Sequence, residues 1–250
     1  MTGELALVGL GPGGPEHRTP AAATAVREAD VVVGYEYYLK LCADITTPDQ
    51  ELVAGRMGEE AERADVAVRR ASAGARVALV STGDIGVYGM ASLALQLTAG
   101  LPAGKRPAVR ILPGVTAAVA AAALLGAPLA RDFACLTLSD VLAPWELVER
   151  RLRALAGSGV VLALYNVRSA ARPWQLGRAR EVLLESRPGS TPVGVVTNAA
   201  RDGEQAAVTT LGELSADGIG MNTVLIVGAA STSLHDGWMV TDRALRGETR

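Results

Sequence analysis

A chain of 250 residues with 49% hydrophobic but only 4% aromatic residues is long enough for one large or two medium domains, with a core built mainly of Ala, Val and Leu. Its formal net charge of −2 argues against a nucleic-acid partner held by phosphate neutralisation, and Cys42 and Cys135 have neither metal-site spacing nor a disulfide framework. The longest very apolar stretch, 115–130, is too short and alanine-rich to span a bilayer comfortably, and no basic segment leads the chain as in a signal peptide, so a cytoplasmic setting without membrane attachment is expected.

Strand-like and helix-like segments alternate. LALVGL (5–10) reads as a buried strand, AAATAVREA (21–29) as a helix and DVVVGY (30–35) as the next strand. A helical period runs over 57–74, followed by strand RVALVST (76–82), helix 89–100, strand VRILPG (109–114) and an alanine-rich helix over 116–125. This order predicts a mostly parallel sheet with helices on both faces. The texture changes at APLARDF (127–133), which places a boundary near Pro128 and two α/β domains, 1–127 and 128–250. In the second, ACLTLSD (134–140), VVLALYN (160–166) and TPVGVVTNA (191–199) read as strands, and 144–159 and 176–187 as helices. The short strands AAVTTLGEL (206–214) and TVLIVGAAST (223–232) lie close together with turn residues between them, which predicts a mixed sheet there.

Gly9, Gly11 and Gly14 match the spacing of a dinucleotide-binding loop. That loop needs its third glycine to open the helix, whereas here Thr19-Pro20 gives the helix start, an N-cap followed by proline at N1. Pro12 also removes a backbone N–H from the would-be cradle. Glu36, after the second strand, stands where a ribose acid would, so a nucleotide-binding oxidoreductase is kept as the reading of a different class. Two further strand ends, STGDIGVYGMA (81–91) and LPGVTAA (112–118), are also rich in small residues. Three such ends describe the rim of one crevice, where parallel α/β sheets bind ligands.

At these loops the chain resembles the tetrapyrrole methyltransferases, which use S-adenosylmethionine on corrin and sirohaem precursors. The matching pieces are VGLGPGGPEHRTP, STGDIGVYGMA and LPGVTAA, then LSDVLAPWE, LALYNVRSAARPWQL, TPVGVVTNAARDGE and VTTLGEL, in order along nearly the whole chain. Within the family the motifs are most like those of the enzymes that methylate C17 of a corrin precursor and contract its ring in cobalamin biosynthesis. The counterpart acting on cobalt-containing precursors and other family members remain alternatives, and a non-enzymatic binding module is a further one. Ile85 and Val167 stand where the pattern usually has proline.

The resemblance implies two α/β domains with the cofactor in the cleft between them, and a homodimer. It implies cofactor contacts from Pro12, Gly83, Asp84, Val87, Thr116 and Ala117, and from Asn166, Thr209 and Thr223 in the second half. The substrate's acetate and propionate groups suit arginine, whose planar guanidinium matches a carboxylate with two hydrogen bonds; Arg56, Arg168 and Arg172 fall in loops or near motif ends. A sulfonium methyl is already electrophilic, so holding donor and acceptor in line suffices without a catalytic triad. His17 and His235, the only histidines, suit no metal site. Ring contraction moves protons, and Asp84, Asp140, Glu146 and Tyr165 lie near the loops. Asp140 reads first as a turn or cap residue, Glu146 as a carboxylate favouring a helix N-terminus, and no general base is assigned.

Overall fold

The computed structural model describes residues 2–243. The chain divides into two compact units, Met1–Ala117 and Ala118–Arg250.

The first unit carries β1 (Glu4–Gly9), α1 (Pro20–Glu28), β2 (Val31–Tyr35), α2 (Glu36–Leu41), β3 (Glu51–Gly55), α3 (Glu60–Ser72), β4 (Arg76–Ser81), α4 (Ala91–Ala99) and β5 (Ala108–Leu112). All its strand pairs are parallel, in the order β3-β2-β4-β1-β5. Successive side chains of a strand face opposite ways. Leu5, Leu7, Val77 and Leu79 therefore meet Ala64, Ala67 and Val68 of α3 on one face. Ala6, Val8, Ala78 and Val80 meet Ala22, Ala25 and Val26 of α1 on the other. The expected parallel sheet covered on both faces is thus present. The α1 N-terminus falls where the sequence puts it: Thr19 Oγ1 accepts from the Ala22 N–H at 3.1 Å, with Pro20 in the first turn.

Next come α5 (Ala117–Leu125), β6 (Gly126–Ala127), β7 (Phe133–Thr137), α6 (Trp145–Ala156), β8 (Val161–Tyr165), α7 (Gln175–Leu184), β9 (Pro192–Thr197), β10 (Gln205–Thr210), β11 (Thr223–Val227), β12 (Thr232–His235) and β13 (Trp238–Thr241). The main sheet of the second unit has the order β10-β9-β11-β8-β7. Only its β7–β8 pair is parallel, so it is mixed, as expected. Leu162, Leu164, Val193 and Leu225 pack on one face with Val148 and Leu152 of α6 and Ala179, Val182 and Leu183 of α7. The division falls earlier than the Pro128 boundary because α5 packs in the second unit: a Cβ on Gly194 of β9 would lie 2.2 Å from Leu125 Cδ1. Among the described residues no helix is long and apolar enough to cross a membrane.

Candidate functional site

In the first unit, β4, β1 and β5 are neighbours, so the loops at their carboxyl ends meet. Gly11 and Gly83 exchange backbone hydrogen bonds of 3.1 and 2.7 Å, and Thr82 Oγ1 donates to the Gly11 carbonyl at 3.3 Å. Gly11 and Gly83 have φ of 81° and 64°, the left-handed region that costs glycine least. The third loop is closer still: a Cβ on Gly114 would lie 2.1 Å from the Gly83 carbonyl oxygen. Gly9 and Gly11 therefore interlock the first loop with its neighbours; a Cβ on Gly9 would lie 2.7 Å from the Gly114 nitrogen. Gly14 opens no α-helix; it precedes a short 3-10 turn, Pro15–His17, and Glu36 is engaged by Lys40 Nζ in the first turn of α2. The absence of a helix opening at Gly14 removes the geometry that the dinucleotide reading required.

Asp84 ties two of these loops. Its Oδ1 accepts from the Gly86 N–H at 2.8 Å and its Oδ2 from the Gly114 N–H at 3.0 Å. Each carboxylate oxygen thus satisfies a backbone donor, the capping role that a short acidic side chain serves in a turn. Pro12 is buried beside Gly11, while Val87 and Tyr88 of the second loop are exposed. Thr116 precedes Ala117, the first residue of α5. Ile85, where the family pattern has proline, is fully buried in the core against α3 and α4. Arg56 is exposed at the end of β3, the edge strand, two strand spacings or about 10 Å from β4.

In the second unit, Asn166 follows β8 with φ 52°. Its Nδ2 donates to Thr137 Oγ1 at 3.0 Å, and its carbonyl accepts from Arg172 Nη1 at 2.8 Å. Thr223 is buried, 2.8 Å from Thr197 through the two hydroxyls. The β8–β11 register, Leu164 opposite Leu225, extends to set Asn166 opposite Thr223. Asn198 and Ala200, at φ 53° and 58°, lie in the loop after β9 at the same sheet end. A left-handed alanine is uncommon and marks a constrained loop. Thr209 is not brought to this place. It pairs with Val193, whereas Thr223 pairs with Thr197, which separates them by four rungs, about 13 Å along the sheet.

The arginines also divide. Arg172 is only 8% exposed, and besides the Asn166 carbonyl it reaches Met221 Sδ at 3.1 Å. This buried guanidinium braces its own loop, so the expectation that it meets substrate carboxylates does not fit its placement. Arg168 is half-buried, with Nη1 donating to the Ile219 carbonyl at 3.2 Å. Val167, the second position where the pattern has proline, is fully buried in the core with Leu176.

The candidate proton-transfer groups stand in different surroundings. The Tyr165 hydroxyl accepts from the Ala118 N–H at 2.8 Å, in the first turn of α5. Glu146 is exposed in the first turn of α6. Asp140 caps no helix; Gln175 Nε2 donates to its Oδ2 at 2.9 Å. Burial pushes the Cys42 thiol up to about 11 and raises that of Cys135, so neither is a ready nucleophile near neutral pH. Among the described residues no group of three or more His, Cys, Asp or Glu side chains is placed to hold a metal ion. The sequence reading missed Gly114 as the point of closest loop approach, and it missed Gln175. The LPG and PWQL motifs contained both, but close approach and burial are three-dimensional properties.

Interlocked loops at the carboxyl ends of parallel strands define the first unit as an α/β platform for a small-molecule ligand. The chain belongs to the tetrapyrrole (corrin/porphyrin) methylases, whose family model matches residues 4–215. It is 46% identical over 235 residues to a precorrin-3B C(17)-methyltransferase of Sinorhizobium sp, covering 94% of this chain and 92% of that one. It is 41% identical to a probable cobalt-factor III C(17)-methyltransferase of Salmonella typhimurium, over 96% and 98% of the two chains. A cobalt-factor III methyltransferase of Priestia megaterium is also 41% identical over 97% of this chain, which spans only 45% of that longer protein. The crystal structure of the methyltransferase CobJ superposes with a TM-score of 0.91 at 36% identity, covering 96% of this chain and all of that one. A uroporphyrin-III C-methyltransferase from Thermus thermophilus, complexed with S-adenosylhomocysteine, matches at TM-score 0.67 and 25% identity over 90% and 92% of the chains.

Proposed function

We propose that this chain transfers a methyl group from S-adenosylmethionine to C17 of a corrin precursor, precorrin-3B or its cobalt-containing counterpart, in cobalamin biosynthesis. The observation that carries this reading is identity of 46% and 41%, over more than nine-tenths of both chains, to C(17)-methyltransferases. The cofactor supplies an electrophilic sulfonium methyl. The residues of the chain hold and orient. In the first unit Pro12, Gly83, Asp84, Val87, Thr116 and Ala117 contact the cofactor from loops that their glycines and Asp84 keep rigid. Rigid loops fix the line of attack without a reorganisation cost at the moment of reaction. Asn166 and Thr223 serve from the second unit, and Arg56 and Arg168 take substrate carboxylates. The reading further includes the ring contraction, a homodimer and a cytoplasmic setting.

Isothermal titration tests the cofactor: S-adenosylhomocysteine saturates and NAD gives no heat. Saturable NAD binding with none for S-adenosylhomocysteine rejects the reading. Mass spectrometry of product formed from metal-free and from cobalt-loaded precursor then decides the substrate. Light scattering at micromolar concentration decides the dimer.

A further inference from the structure

Gln175, the first residue of α7, is only 2% exposed, yet its Oε1 is buried and accepts no hydrogen bond. Its Nε2 donates to Asp140 Oδ2, and no backbone N–H or other side chain of the described residues donates to that carboxylate. Leaving a buried amide carbonyl without a donor costs stability, so the amide's one hydrogen bond, to Asp140, is what its buried position provides, and it fixes where that carboxylate stands. Asp140 stands at the carboxyl end of β7, beyond Thr137, the residue whose hydroxyl holds Asn166. The next two residues, Val141 and Leu142, are 75% and 98% exposed. The loop therefore offers two aliphatic side chains to solvent beside a carboxylate held from behind by a buried amide.

We propose that Asp140 is a substrate-binding residue that faces the centre of the tetrapyrrole ring, that Gln175 positions it, and that Val141 and Leu142 lie against the apolar face of the ring. This rests on the tetrapyrrole reading of the substrate. The rim of such a precursor carries acetate and propionate groups, which repel a carboxylate. The electropositive part of the ring is its centre, where a metal-free ring holds pyrrole N–H groups and a cobalt-loaded one holds the cation. Either meets a carboxylate favourably, and a flat apolar face removes Val141 and Leu142 from water. Substrate bound this way gives the half-buried Asp140 carboxylate a partner besides Gln175.

The test uses the full chain saturated with S-adenosylhomocysteine, titrated with metal-free and with cobalt-loaded precursor and followed by visible absorption. Asp140→Ala is expected to weaken binding roughly tenfold or more, the worth of a hydrogen bond to a charged group. It should also shift the absorption band of the bound ring, while S-adenosylhomocysteine affinity stays unchanged. A larger loss with the metal-free ring identifies the N–H groups as partner, and a larger loss with the cobalt-loaded ring identifies the cation. Gln175→Leu is expected to raise KM for the precursor with kcat little changed. Asp140→Ala combined with Gln175→Leu should bind no more weakly than Asp140→Ala alone, because the amide acts only through the carboxylate. Wild-type affinity and an unshifted band in Asp140→Ala overturn the inference, and that variant decides alone if Gln175→Leu fails to fold. Wild-type protein that binds S-adenosylhomocysteine but neither precursor overturns the substrate reading and this inference with it.

Discussion

Asp84 Oδ2 accepts a hydrogen bond from the Gly114 N–H at 3.0 Å, across 30 residues of sequence, and so joins the loop after β4 to the loop after β5. With Oδ1 taken by Gly86, the carboxylate braces the two loops through both of its oxygens. Asp84→Asn keeps an acceptor for one N–H and loses the other. Affinity for S-adenosylmethionine and for S-adenosylhomocysteine is expected to fall together, by about 1 kcal/mol, the net worth of one hydrogen bond. Titration calorimetry of both ligands checks this. A loss confined to the cationic S-adenosylmethionine would show instead that the charge acts directly on the sulfonium.

Gly114 has no room for a side chain, since its Cβ would lie 2.1 Å from the Gly83 oxygen and 2.8 Å from the Gly9 carbonyl. Backbone on both sides cannot yield as a flexible side chain would. Gly114→Ala is expected to cost about 1–3 kcal/mol of stability, as overpacking does, and to weaken cofactor binding by prising the three loops apart. Gly104→Ala, where an added Cβ meets nothing within 4 Å, is the control. Chemical denaturation of both variants gives the comparison, and equal midpoints would refute the interlock.

The fold was legible where local chemistry is decisive. Thr19-Pro20 stated the start of α1, and continuous apolar runs stated β1, β2 and β4. The strand β3 was not legible, because ELVAG is a short edge strand whose residues are largely exposed and give no apolar run. The six residues of α2 are too few to show a helical period. At the site, the loops were legible through their glycines, but the partners of those glycines were not, since Gly114 and Gly83 meet only in the folded sheet. Arg172 shows the same limit. Its residue type suits a carboxylate, and only its burial shows that it serves a backbone carbonyl.

Glu149 of α6 gathers Arg178 and Arg153, with Trp145 Nε1 donating at 2.9 Å. Hydrogen bonds from Arg178, then Arg153, push its carboxyl from the ordinary 4.5 down to about 2. A carboxyl whose pKa is depressed on folding stabilises above its unfolded value and loses that contribution as pH falls through its folded value. Glu149→Gln is therefore expected to be less stable than wild type at neutral pH. The difference is on the order of 1 kcal/mol, since solvent screens a network whose arginines are partly exposed. The gap between the two proteins should close as pH falls from 4.5 toward 2. Denaturant melts across that range check it, and a gap independent of pH would assign the effect to packing.

Arg172 and Asn166 give the last prediction. Asn166 holds a left-handed φ of 52°, a conformation that needs support from its surroundings. Arg172 Nη1 supports it by donating to the Asn166 carbonyl at 2.8 Å, while the Asn166 side chain reaches Thr137. Removing the guanidinium leaves that carbonyl and the Met221 sulfur without their donor. If Arg172 braces the loop, Arg172→Ala lowers stability and S-adenosylhomocysteine affinity together, by about 1–3 kcal/mol in stability for an unsatisfied buried group. If Arg172 instead met substrate carboxylates, the same variant would raise KM for the precursor and leave S-adenosylhomocysteine binding intact. Arg172→Lys separates the two further. A lysine keeps the charge that a carboxylate needs, but its single ammonium cannot reproduce the fork that spans Asn166 and Met221. The expected outcome is that lysine restores little of the S-adenosylhomocysteine affinity lost in Arg172→Ala. Near-complete restoration by lysine, seen as an unchanged KM for the precursor and an unchanged dissociation constant for S-adenosylhomocysteine, would return Arg172 to the role of a simple positive charge.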